Sequence, residues 1–76
     1  MKELLTYIAQ NLVEHPDQVT VNQIDGESEI VLELRVAPSD MGKVIGRQGR
    51  IAKEIRTIVK TVALRTGEKV TVEIVD

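Results

Sequence analysis

Two glycines inside a helix-patterned stretch set the tightest constraint on how this chain can fold. Apolar residues recur at helical spacing on both sides of Gly46 and Gly49, which stand three positions apart with Arg47 and Gln48 between them. Glycine removes side-chain bulk and reaches backbone conformations that other residues avoid. The chain must therefore turn abruptly within an otherwise helical run and leave that turn bare. Before it, a short helix is predicted from about Asp40 to Ile45, breaking at Gly46, with Ser39 as N-cap and Asp40 at the electropositive helix start. After it, Ile51, Ala52, Ile55, Ile58, Val59, Val62 and Ala63 trace one apolar face, with Arg50, Lys53 and Lys60 opposite and Arg56 at its edge. Thr66-Gly67 supplies the stop.

The flanking segments complete an α+β pattern. Leu4, Leu5, Ile8, Leu12 and Val13 form one stripe, predicting a first helix over residues 3–14 that ends before Pro16. Val19 and Val21 alternate with Thr20 and Asn22 as a first strand, followed by a turn at Asp25-Gly26 that Glu27 and Ser28 lengthen. Ile30, Leu32, Leu34 and Val36 alternate with Val31, Glu33, Arg35 and Ala37 as a second strand, stopped by Pro38. Val70, Val72 and Ile74 make a third. The order is α-β-β-α-α-β: an antiparallel hairpin, then a parallel third strand reached by a right-handed helical crossover. Three helices cover one face of a three-stranded mixed sheet, leaving Glu33, Arg35, Thr71 and Glu73 to water. With 76 residues the chain is one domain, residues 1–76.

Charge is distributed unevenly. Seven basic residues and one acid, Glu54, lie between Lys43 and Arg65, a net +6 in a chain whose overall charge is −2. The remainder is −8, an asymmetry that points to a polyanion partner on one face only. There is no cysteine and a single histidine, His15, so thiolate and clustered-histidine metal sites are excluded and no cofactor is expected. No apolar run reaches the roughly 18 residues a membrane span needs. The expectation is a cytoplasmic protein without catalysis, because no paired carboxylates or nucleophile–base set can be assembled.

A bare turn flanked by cations suits the approach of a sugar-phosphate chain. Gly46 and Gly49 keep Cβ atoms away, Arg47 and Gln48 offer side-chain donors, and Lys43, Arg50 and Lys53 supply field. Unpaired N–H groups at the start of the second helix suit a phosphate. Val44, Ile45 and Ile51 are candidates for an apolar wall against bases. With no Phe or Trp, aromatic stacking is not the main mode. A Walker loop needs Gly-Lys-Ser/Thr after its spacer, and a dinucleotide fingerprint needs glycine where Val44 stands; both fail.

The run Val44-Ile45-Gly46-Arg47-Gln48-Gly49-Arg50-Ile51, continuing to Ile55, resembles the I-G-x-x-G-x-x-I signature of KH domains. With this element order the whole chain resembles the type II KH fold, and in its size the small bacterial KhpA family. The resemblance implies single-stranded RNA rather than DNA as ligand, its backbone clamped over about four nucleotides by Gly46 to Gly49. It also implies RNA chaperone activity, a homodimer or a complex with a larger KhpB-like KH protein, and a regulatory link to cell envelope and cell shape. The competing reading of the same residues is a protein-interaction module that dimerises and leaves RNA contact to its partner.

Overall fold

The alternation of Ile30–Arg35 makes it the central strand. Leu32 and Leu34 are fully buried, while Arg35 stands exposed on the opposite face. A computed structural model describes residues 1–75, and for Arg47 the backbone alone. Helix α1 (Lys2–Gln10) is followed by a single 3-10 turn (Pro16–Gln18), strands β1 (Thr20–Asp25) and β2 (Ile30–Arg35), the helical segment α2 (Pro38–Thr66) and strand β3 (Val70–Ile74). The sheet order is β1-β2-β3. β1 runs antiparallel to β2 with Val21 opposite Leu34, and β3 runs parallel to it with Val72 opposite Leu32. The hairpin loop closes where the Gly26 N–H donates to the Glu29 carbonyl at 2.8 Å.

By its backbone hydrogen bonding α2 is continuous, yet Gln48 (φ 62°) and Gly49 (φ 70°) both occupy the left-handed region. A right-handed helix cannot run straight through two such residues. α2 is therefore two helices in effect, residues 38–47 and residues 50–66, and the α-β-β-α-α-β order holds. The break falls later than the expected Gly46, whose φ is not positive; Gly49 takes the left-handed conformation instead.

The first helix stops at Gln10 rather than near residue 14. The Leu12 N–H bonds back only three residues, to the Ala9 carbonyl, and the Asn11 side chain donates to the Tyr7 carbonyl at 2.7 Å. Beyond that tightened turn the Glu14 and His15 N–H groups leave the helix for another acceptor. They donate to the carboxylate of Asp40, at 3.1 and 3.0 Å, and Asp40 is only 1% exposed. Asp40 thus ties the exit of α1 to the first turn of α2. Ser39 is not the N-cap: Ala37 precedes the helix without a side-chain cap, and Pro38 occupies the first turn, where its missing N–H costs nothing.

The core is aliphatic. Leu5 and Ala9 from α1 and Val44, Ala52, Ile55 and Val59 from α2 pack on Val19, Val21, Leu32, Leu34, Val36 and Val72. Ile58, expected on the apolar face, is 43% exposed. The stripe that meets the sheet (Ala52, Ile55, Val59, Ala63) is narrower than the periodicity implies, and Ile58 lies beside it. No helix among the described residues is long and apolar enough to cross a membrane.

Candidate nucleic-acid interface

The left-handed pair Gln48-Gly49 opens onto a groove, and its walls come from three places. The last turn of the first α2 arm gives Ile45. The start of the second arm gives Ala52, Lys53 and Arg56, and β3 gives Ile74. Ile45 is 53% exposed and faces this depression as one apolar wall, with Ile74 as another. An ideal Cβ built on Gly46 or Gly49 would meet nothing within 4 Å, so the space beside the turn is open.

β3 is an edge strand, and its free side borders the groove. The Val75 N–H donates to the Leu34 carbonyl at 2.9 Å, and the Lys69 carbonyl accepts from the Ile30 N–H at 2.8 Å. Residues facing the partner alternate in a ladder, so Val70, Val72 and Ile74 turn their N–H and C=O groups outward. The outward carbonyl of Val72 accepts from Arg56 Nε at 3.3 Å, which uses one of the five guanidinium donors.

The expected site residues do not all gather here. Gln48, Gly49, Ile45 and Lys53 line the groove. Arg50, Ile51, Gly46 and Lys43 border a second depression, with Gly42, on the other side of the turn. Val44 is fully buried in the core and offers no surface to a base. Ile51 is half-buried and packs at the core margin. Lys43 Nζ is paired with Glu14 Oε1 at 2.8 Å, and the hydrogen bond and charge of Lys43 hold the Glu14 carboxyl below the usual carboxylate range. The field of Lys43 is thereby partly cancelled. The Arg47 side chain lies outside the described residues.

Because Gln48 and Gly49 interrupt the right-handed path, the second arm has a start of its own at residue 50, directly after the groove-lining Gly49. Side chains and the outward N–H groups of β3 are further donors available to an anion. Arg56 and Ile74 were not legible as site residues: periodicity placed Arg56 at the margin of the basic face, and only the strand order brings Ile74 opposite it. No group of three or more His, Cys, Asp or Glu able to hold a metal occurs among the described residues.

Comparisons with known proteins agree with this architecture. The family described as "KhpA/KhpB, KH domain" matches residues 2–74. The RNA-binding protein KhpA of Clostridium perfringens is 59% identical over 75 residues, covering 99% of this chain and 100% of that protein. The RNA-binding protein KhpA of Aquifex aeolicus is 43% identical over 76 residues, 100% of this chain and 96% of that one. Among solved structures, Aquifex aeolicus Era bound to GDP and tetrafluoroaluminate superposes with a TM-score of 0.63 at 25% identity, over 96% of this chain and 28% of Era. The chain belongs to the KhpA/KhpB family of KH domains.

Proposed function

We propose that this domain binds single-stranded RNA without catalysis, clamping the sugar-phosphate backbone at Gly46–Gly49 and resting bases against Ile45 and Ile74. The observation that carries the reading is the turn itself. Two consecutive left-handed residues, one of them the non-glycine Gln48, stand at the mouth of a groove edged by Lys53 and Arg56. Each left-handed non-glycine residue costs roughly 1–2 kcal/mol, and strain of this kind concentrates at binding sites. Close relatives carry the name RNA-binding protein, which agrees. Chaperone action in the cytoplasm, a larger KH protein as partner and a role in cell envelope and shape regulation extend the same proposal by family kinship.

The test is fluorescence anisotropy of a labelled unstructured RNA with the native protein and the Arg47→Asp/Gln48→Asp variant. Salt-sensitive binding, with a log–log slope of about −0.7 for each phosphate neutralised, that the double substitution abolishes supports the clamp. Unchanged binding by the variant refutes it.

One observation favours a second function beside the first. Ile58 is 43% exposed, outside the core, and lines with Glu54 and Thr57 a depression that reaches Gln48 and Lys53 at the edge of the groove. A dimer through this face would join two grooves and raise avidity by effective concentration. Sedimentation of Ile58→Asp tests it: a shift from dimer to monomer supports the seam, and an unchanged state removes it.

A further inference from the structure

Arg56 stands between two depressions. One is the groove at the glycine turn. The other continues between the second arm of α2 and β3, walled by Lys60, Ala63 and Leu64 on the helix and by Lys69, Val70 and Val72 on the strand side. Lys53, Arg56, Lys60 and Leu64 follow one another at spacings of three and four, forming one ridge down the helix. Along β3, Ile74 belongs to the first groove and Val70 and Val72 to the second. The same two elements wall both depressions, in the same order, and Arg56 is common to them.

Charge and chemistry indicate what occupies the second groove. Arg56, Lys60 and Lys69 face one acid, Glu68, whose Oε1 already accepts from the Thr66 hydroxyl at 2.9 Å. Leu64 is 73% exposed, more than any other large apolar side chain among the described residues. A peptide strand adding to β3 would need its outward carbonyls, and Arg56 already occupies that of Val72. A polyanion carrying flat apolar rings satisfies both the cations and the leucine.

We infer, resting on the reading of the glycine turn as an RNA clamp, that the RNA track continues past the turn along β3 into this second groove. Lys60 and Lys69 meet phosphates there, and Leu64 supports a base. The footprint is then longer than the roughly four nucleotides held at a KH glycine loop.

The experiment compares oligouridines of four and of eight nucleotides on the native protein, Lys60→Glu/Lys69→Glu, Leu64→Ser and the glycine-turn variant Arg47→Asp/Gln48→Asp. Lys60, Lys69 and Leu64 are exposed, so their variants retain the fold. A longer oligomer also gains statistically from the registers it offers, so variants are compared at fixed length. The lysine variant is expected to lose about tenfold in affinity for the octamer and to have a salt slope shallower by about 1.4, the loss of two phosphate contacts, with tetramer binding nearly unchanged. Amide shifts at residues 60–72 are expected on adding octamer but not tetramer. Octamer affinity and slope unchanged in the lysine variant overturn the inference while leaving the clamp intact. Unchanged binding by the glycine-turn variant overturns the clamp itself. A dimer-to-monomer shift in Leu64→Ser, with octamer binding unaffected, overturns the inference by assigning the groove to a second copy.

Discussion

Asp40 makes a sharp test of how this small domain holds together. Its carboxylate accepts two backbone N–H groups, from Glu14 at 3.1 Å and His15 at 3.0 Å, and it is almost completely enclosed. Hydrogen bonds to a charged acceptor contribute about 1.5–3 kcal/mol each. Glu14 is exposed and His15 half-buried, so the released N–H groups regain some water and the lower figure applies. Asp40→Ala is therefore expected to cost about 3 kcal/mol, two bonds at about 1.5 each. A domain of this length has about 4–11 kcal/mol of total stability, so the loss is a large share of it. At roughly 4–8 °C per kcal/mol, Tm falls by about 12–24 °C. Asp40→Asn keeps the shape and one acceptor oxygen, but turns an amide NH2 toward the second N–H, and is expected to lose about half as much. The assay is urea and thermal unfolding followed by circular dichroism at 222 nm. Relief of carboxylate desolvation acts in the opposite direction. If both variants lie within about 0.5 kcal/mol of the native protein, desolvation cancels the clasp and Asp40 does not hold the two helices together.

The two glycines of the turn should behave oppositely. Gly49→Ala places a side chain at φ 70° and is expected to destabilise by about 1–2 kcal/mol, whereas Gly46→Ala, with no positive φ and open space around its Cβ, is expected to stabilise by about 0.5–1 kcal/mol while weakening RNA binding. Chemical unfolding paired with anisotropy separates the effects, and a Gly46→Ala variant that binds as tightly as the native protein would place the RNA elsewhere. The pair between Glu14 and Lys43 gives a pH dependence. The Glu14 carboxyl is lowered in the folded state, so the unfolded chain binds more protons through the carboxylate range and the contribution is present above the unfolded value and lost as pH falls through the folded one. Any stability difference between the native protein and Glu14→Gln is expected to be small at neutral pH, because both partners are exposed, and to vanish in acid; a difference that grows on acidification contradicts the sign. The same substitution frees Lys43 and is expected to tighten RNA binding at low salt.

How far the sequence could be read depends on the kind of signal each element carries. Strand β2 announces itself because Leu32 and Leu34 alternate with Glu33 and Arg35, and a period of two has one physical meaning. The helix after the turn is legible for the same reason, though its buried stripe is narrower than its hydrophobic one and Ile58 falls outside it. Helix ends were less legible, since they are set by long-range acceptors. Past the end of α1 the Glu14 and His15 N–H groups go to an aspartate 26 positions from Glu14 instead of extending the helix, and no local rule anticipates that acceptor. The turn was legible in composition but not in register: either glycine can take a left-handed conformation, and the fold assigned it to Gly49 and carried Gln48 along. Val44 shows the converse. Beside the turn in sequence, it looked like part of the groove, but one position of helical rotation separates the exposed Ile45 from a fully buried neighbour.

A net charge of −2 does not argue against an RNA ligand once distances are considered. Two of the acids, Glu33 and Glu73, sit beside one another on the open face of the sheet, away from the helices, and Asn22 donates to Glu33 at 3.1 Å. The domain measures 34 × 21 × 17 Å, so even its shortest dimension is about twice the Debye length of about 8 Å at physiological ionic strength. Cations lining the groove therefore act on a phosphate chain with little cancellation from the far face, while that face repels polyanions that approach it. At about 0.01 M salt the Debye length grows to about 30 Å and spans much of the molecule, so the acids begin to count. Neutralising them with Glu33→Gln/Glu73→Gln is therefore expected to tighten RNA binding at low salt and leave it unchanged at physiological salt. An equal gain at both concentrations would mean that the acids lie on the RNA path, and that charge separation across the domain does not govern binding.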